Sequence, residues 1–162
     1  QGADPNGVHN DEAPLLPAAR LGSAECVHTL LEAGADPRWA RSDGTTALHT
    51  ACRRSPLPSV PSANHMQCIQ LLLEAGAHLD APTLQGVTPL HEAVVYEHPA
   101  IALTLLAAGA DPSRATSAGE GPLHTACRCG GACDIVPSLL LAAAVLCPME
   151  GLALLVGPAY GL

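Results

Sequence analysis

Four residues able to bind metal, His124, Cys127, Cys129 and Cys133, fall within ten residues of the chain. Thiolate and imidazole groups two to four residues apart are the usual ingredients of a structural zinc site, but the second paired cluster of such sites is missing here. Three histidines, His49, His91 and His124, could in principle move protons, because imidazole titrates near neutrality. Seven cysteines is an odd number, and they show no framework spacing, so a disulfide-stapled secreted domain is a poor reading and a reducing interior suits the chain better. The sequence has no P-loop, no Gly-x-Ser-x-Gly elbow and no pair of carboxylates on a shared helix face. Neither catalysis nor a cofactor is expected.

Self-similarity gives these residues another role. Ala13-Pro14-Leu15-Leu16, Thr46-Ala47-Leu48-His49, Thr88-Pro89-Leu90-His91 and Gly121-Pro122-Leu123-His124 align. Their leucines are 33, 42 and 33 residues apart, and Gly-Ala pairs at 2, 34, 76 and 109 are 32, 42 and 33 apart. One insertion of nine residues therefore sits in the second unit, near 55–64, where Pro56, Pro58 and Pro61 predict an extended, projecting loop. In this register Cys52 and Cys127 share a position with Ala19 and Val94, and Cys26 shares one with Cys68. Four of the seven cysteines thus read as small apolar packing residues, which leaves zinc a remote alternative. His49, His91 and His124 recur at one position, as braces between adjacent units would.

Each unit carries the signals of a helix pair. Pro14, Pro89 and Pro122 suit a first helical turn, where a missing N–H costs nothing. Thr46 and Thr88 stand where a hydroxyl caps a helix. Leu48 with Ala51, and Leu90 with Ala93, lie three apart and predict an apolar stripe. Gly34, Gly76 and Gly109 are placed to end a second helix in a left-handed conformation.

Composition narrows the function. The chain has 162 residues, 48% apolar, with 15 acidic side chains against seven basic ones and a net charge of −8. All the basic residues are arginines. A nucleic-acid partner is excluded on this balance, since such binding rests on neutralising phosphates. Beyond residue 141 the pattern stops in an apolar tail, which Pro148, Glu150 and Gly151 interrupt before it reaches the roughly 20 residues of a membrane span. No membrane is expected. The absence of an initiating Met and the ragged tail read as a piece of a longer protein that is prone to aggregate.

With its 33-residue period and its Thr-Pro-Leu-His-x-Ala motif, the chain resembles the ankyrin-repeat family. The resemblance implies an all-α solenoid of stacked helix pairs with hairpin-like finger loops. It divides the chain into the tail of a preceding repeat (1–6), repeats at 7–37, 38–79 and 80–112, a degenerate repeat at 113–141 and the non-repeat tail 142–162. The motif residues are Pro14, Leu15, Thr46, Leu48, His49, Thr88, Pro89, Leu90, His91, Pro122, Leu123 and His124. Such arrays bind proteins through their finger tips and first helices, in the cytoplasm or the nucleus. That implies finger-tip contacts from Trp39, Arg41 and Ser42, from Leu84 and Gln85, and from 115–118. Trp39, the only tryptophan, lies beside Arg38 and Arg41 in a polar link with no evident core to join, although it could fold back over a neighbouring finger. Arg20, Arg53 and Arg128 form a row with Val95, joined by Arg54 and Tyr96. The row suits an acidic or phosphorylated protein segment, unless nearby carboxylates such as Glu25 or Glu92 already pair with it. The Thr-Ala-Cys helices and the insertion are further similar to the ankyrin repeat and SOCS box family, substrate receptors of cullin-RING ubiquitin ligases. No SOCS-box-like segment is visible in these residues, so elongin B/C and a cullin would need one elsewhere in the protein. A generic ankyrin scaffold with no ligase link is the alternative.

Overall fold

The computed structural model describes residues 4–7, 9, 11–53, 62–129, 136, 137 and 139–141, with the backbone alone for 62, 63 and 129. Seven helices are delimited among the described residues, in order: α1 (Leu15–Arg20), α2 (Ala24–Glu32), α3 (Ala47–Cys52), α4 (Ser62–Glu74), α5 (Pro89–Val95), α6 (Pro99–Ala107) and α7 (Pro122–Cys129). Among the described residues there are no β-strands, only the isolated bridges His9–Glu12 and Ala40–Thr46.

The first helix of each unit is short because few residues separate its cap from the next turn. Within units α1 packs on α2, α3 on α4 and α5 on α6. Between units α1, α3, α5 and α7 stack in sequence, and α2 stacks on α4. The predicted stripe lies at these contacts: Leu15, Leu48 and Leu90 are at most 1% exposed, with Leu123 at 7%. Each buried leucine contributes roughly 1.5–3 kcal/mol. Ala18, Ala51, Ala93 and Ala126, one per unit, are buried too, and their small side chains let neighbouring helices approach closely.

The second helices end as expected from the sequence. Gly34, Gly76 and Gly109 have φ of +90°, +89° and +96°. The amides of Ala35, Ala77 and Ala110 then reach back to the carbonyls of Leu30, Leu72 and Leu105, a Schellman closure that satisfies otherwise orphaned carbonyls. The first helix of the third unit closes in the same way at Glu97, which has φ of +56°, where the first unit has Gly22 at +66°. A side chain in this left-handed region is strained.

One boundary differs from the sequence expectation. Residues 54–61 lie outside the described residues, but Ser62, Ala63 and Asn64, assigned above to the projecting loop, form the start of α4. They follow the last proline of the insertion, so nothing prevents their joining the helix. This extra turn makes α4 13 residues long against nine for α2. The helix thereby gains His65, whose Nε2 meets the Arg20 carbonyl at 3.3 Å across the unit boundary.

Between the helix pairs the chain makes narrow turns. Gly44, Gly86 and Gly119 donate to the carbonyls of Arg41, Thr83 and Thr116, and the amides of those three residues donate to Thr45, Val87 and Glu120. Adjacent fingers are joined along the backbone, Leu84 N–H to the Asp43 carbonyl at 2.9 Å and Ser117 N–H to that of Gln85 at 2.8 Å. Gly86 has φ of +74°, and a Cβ there would stand 2.9 Å from Thr116 Cα. Gly86→Ala should therefore destabilise the fold by at least about 1 kcal/mol, whereas Glu97→Gly should stabilise it by about 1 kcal/mol by relieving the left-handed strain. Urea unfolding of both variants measures the two opposite shifts.

Candidate functional site

Three kinds of residue lie along the fingers and first helices: the recurrent histidines in the first helical turns, and arginines and exposed apolar side chains at the helix ends and finger tips. The histidines bind the units together. The amide and hydroxyl of Thr46 both lie against His49 Nδ1, at 3.2 and 2.9 Å. Because the amide can only donate, Nδ1 accepts, and the ring proton sits on Nε2. Nε2 then donates to the Val87 carbonyl of the next unit at 3.1 Å. His91 repeats the arrangement with Thr88 at 3.2 and 2.9 Å and the Glu120 carbonyl at 3.2 Å. Both rings are buried, and burial holds their pKa values below the ordinary 6.5 despite the carbonyl partners. His124 keeps one contact of this kind, from the Gly121 amide at 3.3 Å. Gly121 has no hydroxyl to supply the other.

Of the four cysteines read as packing residues, two fit and two do not: Cys26 and Cys127 are exposed, because each lies on a helix face that no described element covers. Cys52 and Cys68 are buried; burial pushes the Cys68 thiol up to about 11 and that of Cys52 higher still. Thiols held protonated in this way are poor nucleophiles and poor metal ligands. Among the described residues no three potential ligands gather at one point; Cys133 and the Cys129 side chain lie outside them.

The arginine row requires correction. Arg53 is not free for a partner: its guanidinium donates to Glu92 Oε1 at 2.8 Å. The Glu92 side chain is only 10% exposed, so Arg53 neutralises a carboxylate inside the fold. Arg128 pairs with Glu120 at 2.8 Å on the surface. Arg20 is exposed at the end of α1 and makes no ion pair among the described residues. Arg41 is half-buried, its Nε enclosed without a hydrogen-bond partner. Arg54 lies outside the described residues. Trp39 also departs from expectation. It is half-buried and packs against the core, because the turn closed by its amide on the Asp36 carbonyl at 3.2 Å folds it inward. It precedes the finger tip rather than forming it.

Apolar side chains are exposed as well. Leu84 at a finger tip is 80% exposed, Val95 43%, Tyr96 39% and Leu21 42%. Leu21 and Tyr96 hold the same position in the first and third units, just past the ends of α1 and α5. A family model of ankyrin repeats, in three copies, matches residues 15–116. This chain belongs to the ankyrin-repeat family. No curated protein matches it. In the described part of this ankyrin array no helix is long and apolar enough to cross a membrane.

Sequence reading missed a second set of links between repeats. The Asn6 amide group donates to the Gly34 carbonyl at 3.1 Å and accepts from Asp36 N–H at 2.8 Å. At the same register position Arg38 Nε donates to the Gly76 carbonyl at 3.0 Å, and the Asp80 carboxylate accepts from Asp111 N–H at 3.1 Å. Three residue types do one job, so identity gives no signal; only the register could have pointed to them. In the first finger Asp11 stands where later fingers have glycine, with φ of +57°. Its carboxylate accepts from the Ser42 hydroxyl and amide, and these hydrogen bonds lower its pKa.

The brace predicts a pH dependence. Between the ordinary imidazole value and the lower folded-state values the unfolded chain binds more protons, so stability present above about 6.5 is lost as pH falls toward and through the folded-state values. The melting temperature of the ankyrin array should drop between pH 7.5 and 5.5, and His91→Gln should make that drop shallower on a less stable background. Removing Arg53 would strand the buried Glu92 carboxylate, so Arg53→Ala should cost about 2–3 kcal/mol. Arg20→Ala should stay within about 0.5 kcal/mol of the parent. Denaturant unfolding separates the structural arginine from the surface one.

Proposed function

We propose that this array binds a segment of a protein partner across its finger tips and the exposed ends of its first helices. Ankyrin repeats are a protein–protein interaction module. The observation that carries the proposed surface is the exposure of Leu84, Val95 and Tyr96, on backbone held by hydrogen bonds between fingers and between turns. Tyrosine is enriched at interface hot spots, the aliphatic side chains add apolar contact area, and groups held on a rigid backbone lose little conformational freedom on binding. Leu21 extends the surface to the first repeat. Arg20 beside it supplies a cation for an acidic or phosphorylated group of the partner. Arg53 and Arg128 are already engaged by glutamates. The role is binding, not catalysis.

Within that role we read the array as the substrate-recognition part of a cullin-RING ubiquitin ligase adaptor. Support comes from Thr50-Ala51-Cys52, Thr125-Ala126-Cys127 and the insertion inside one repeat, which resemble the ankyrin repeat and SOCS box family. Elongin B/C and a cullin would dock on a segment outside these residues. A scaffold or signalling adaptor without a ligase link is the competing reading. Affinity capture with these residues and with a longer natural chain tests both levels. Protein ligands should appear with either bait, and Leu84→Asp combined with Tyr96→Ala should lower their recovery at least tenfold without moving the melting temperature. Elongin B and C should appear only with the longer bait. Their absence from it overturns the ligase reading, and undiminished capture by the double variant overturns the surface.

A further inference from the structure

We propose that Asn6-Gly7 is a self-modification site, which loses ammonia through a succinimide when residues 4–7 leave the first repeat and is kept intact while they are seated on it. Glycine after asparagine favours this reaction, because no side chain obstructs the attacking nitrogen. The Gly7 nitrogen gives its proton to solvent hydroxide and attacks Asn6 Cγ. The N–Cγ bond forms, the Cγ–Nδ2 bond breaks, and ammonia leaves with a proton taken from water. A water molecule then opens the ring at either carbonyl, giving an aspartyl or an isoaspartyl residue. One water enters and one ammonia departs, with no oxidant and no cofactor.

The fold holds the groups that must react. Asn6 Nδ2 donates to the Gly34 carbonyl at 3.1 Å, and Oδ1 accepts from Asp36 N–H at 2.8 Å. The Asn6 amide donates to Asp4 Oδ1 at 2.9 Å, and the Gly7 amide donates to the Asp4 carbonyl at 3.0 Å. Ring closure has to take the side chain off Gly34 and Asp36 and the proton off the Gly7 amide. These links are exposed to solvent, and such hydrogen bonds open at far less cost than core contacts. The rate then follows the population of the open form. The backbone does not demand glycine at 7: its φ lies outside the left-handed region that Gly22, Gly34 and Gly44 occupy. A Cβ there would stand 3.2 Å from the Asp4 carbonyl oxygen, a contact that a small shift relieves.

The product cannot restore the link. Asn6 both donates and accepts, where Arg38 only donates and Asp80 only accepts. An aspartyl product still accepts from Asp36 N–H but has nothing to donate to the Gly34 carbonyl. Its new charge also stands beside the Asp36 carboxylate. The comparable pair of acids in the third unit, Asp80 and Asp111, has Arg114 at 3.7 Å from Asp111. Trp39 holds that position after Asp36, so no cation offsets the repulsion there. The isoaspartyl product inserts a methylene into the backbone of the turn that the Gly7 amide closes on Asp4. Each opening that ends in deamidation therefore leaves the next opening easier.

The test incubates the 162-residue chain at neutral pH in native buffer and in urea. Tandem mass spectrometry of the tryptic peptide 1–20 locates the mass gain of exchanging NH2 for OH at Asn6. Loss of ammonia should run at least tenfold faster in urea than in native buffer. Asp4→Ala, which releases the Asn6 amide, should raise the native rate severalfold and leave the urea rate unchanged. Gly7→Ala should slow the urea reaction at least tenfold, because its methyl group hinders the attacking nitrogen. Asn6→Asp should lower the melting temperature by a few degrees, with part of the loss returning at high salt. Equal rates in native buffer and urea would overturn the gating, and a Gly7→Ala rate in urea equal to the parent's would overturn the chemistry. An Asn6→Asp chain as stable as the parent would overturn the weakened link.

Discussion

No helix pair in this chain can bury its own apolar face, and the rest of the structure follows from that constraint. Helices of six or seven residues such as α1, α3 and α5 are too short to persist alone in water. They exist because each presents leucine and alanine to the unit before and the unit after. Stability is therefore a property of contacts between units, and it is spread along the array. The leucines at 15, 48 and 90 are the same residue solving the same problem three times.

Stacking buries polar groups as well as leucines, and the chain meets that cost with a repeated set of links. His49 and His91 each use both ring nitrogens, one to cap their own helix and one to hold the next unit's loop. Asn6, Arg38 and Asp80 do comparable work at the ends of the second helices. Backbone hydrogen bonds join the finger tips where Gly44 and Gly86 let adjacent chains come close. Polar groups that would penalise burial if left unpaired thereby determine how one unit sits on the next. This division leaves the surface free: with His49, His91, Cys52 and Cys68 committed inward, exposed side chains such as Leu84 and Tyr96 stand outside the core packing.

The arginines show how packing redistributes apparent function. Four of the seven stand close together in the repeat register, and from register alone Arg20, Arg53 and Arg128 are equivalent. Their neighbours make them different. Glu92 occupies the place taken by Thr50 one unit earlier, and it turns Arg53 into an internal partner. Glu120 engages Arg128 on the surface. Arg20 has no such carboxylate within reach among the described residues.

The sequence by itself determined the repeat period, the order of helices, the glycine-terminated second helices and the inward Leu15, Leu48, Leu90 and Leu123 with Cys52 and Cys68. These are local or periodic features, written in residue type at fixed spacing. Tertiary structure alone decided what crosses from one unit to another. It placed Trp39 against the core, took Arg53 for Glu92, drew Ser62–Asn64 into α4 and gave Asn6, Arg38 and Asp80 a common task. The physical reason is that side-chain pairing between stacked units depends on distances of a few ångströms between residues some 30 to 45 positions apart. A spacing pattern aligns such residues, but only the packed chain shows which of them touch.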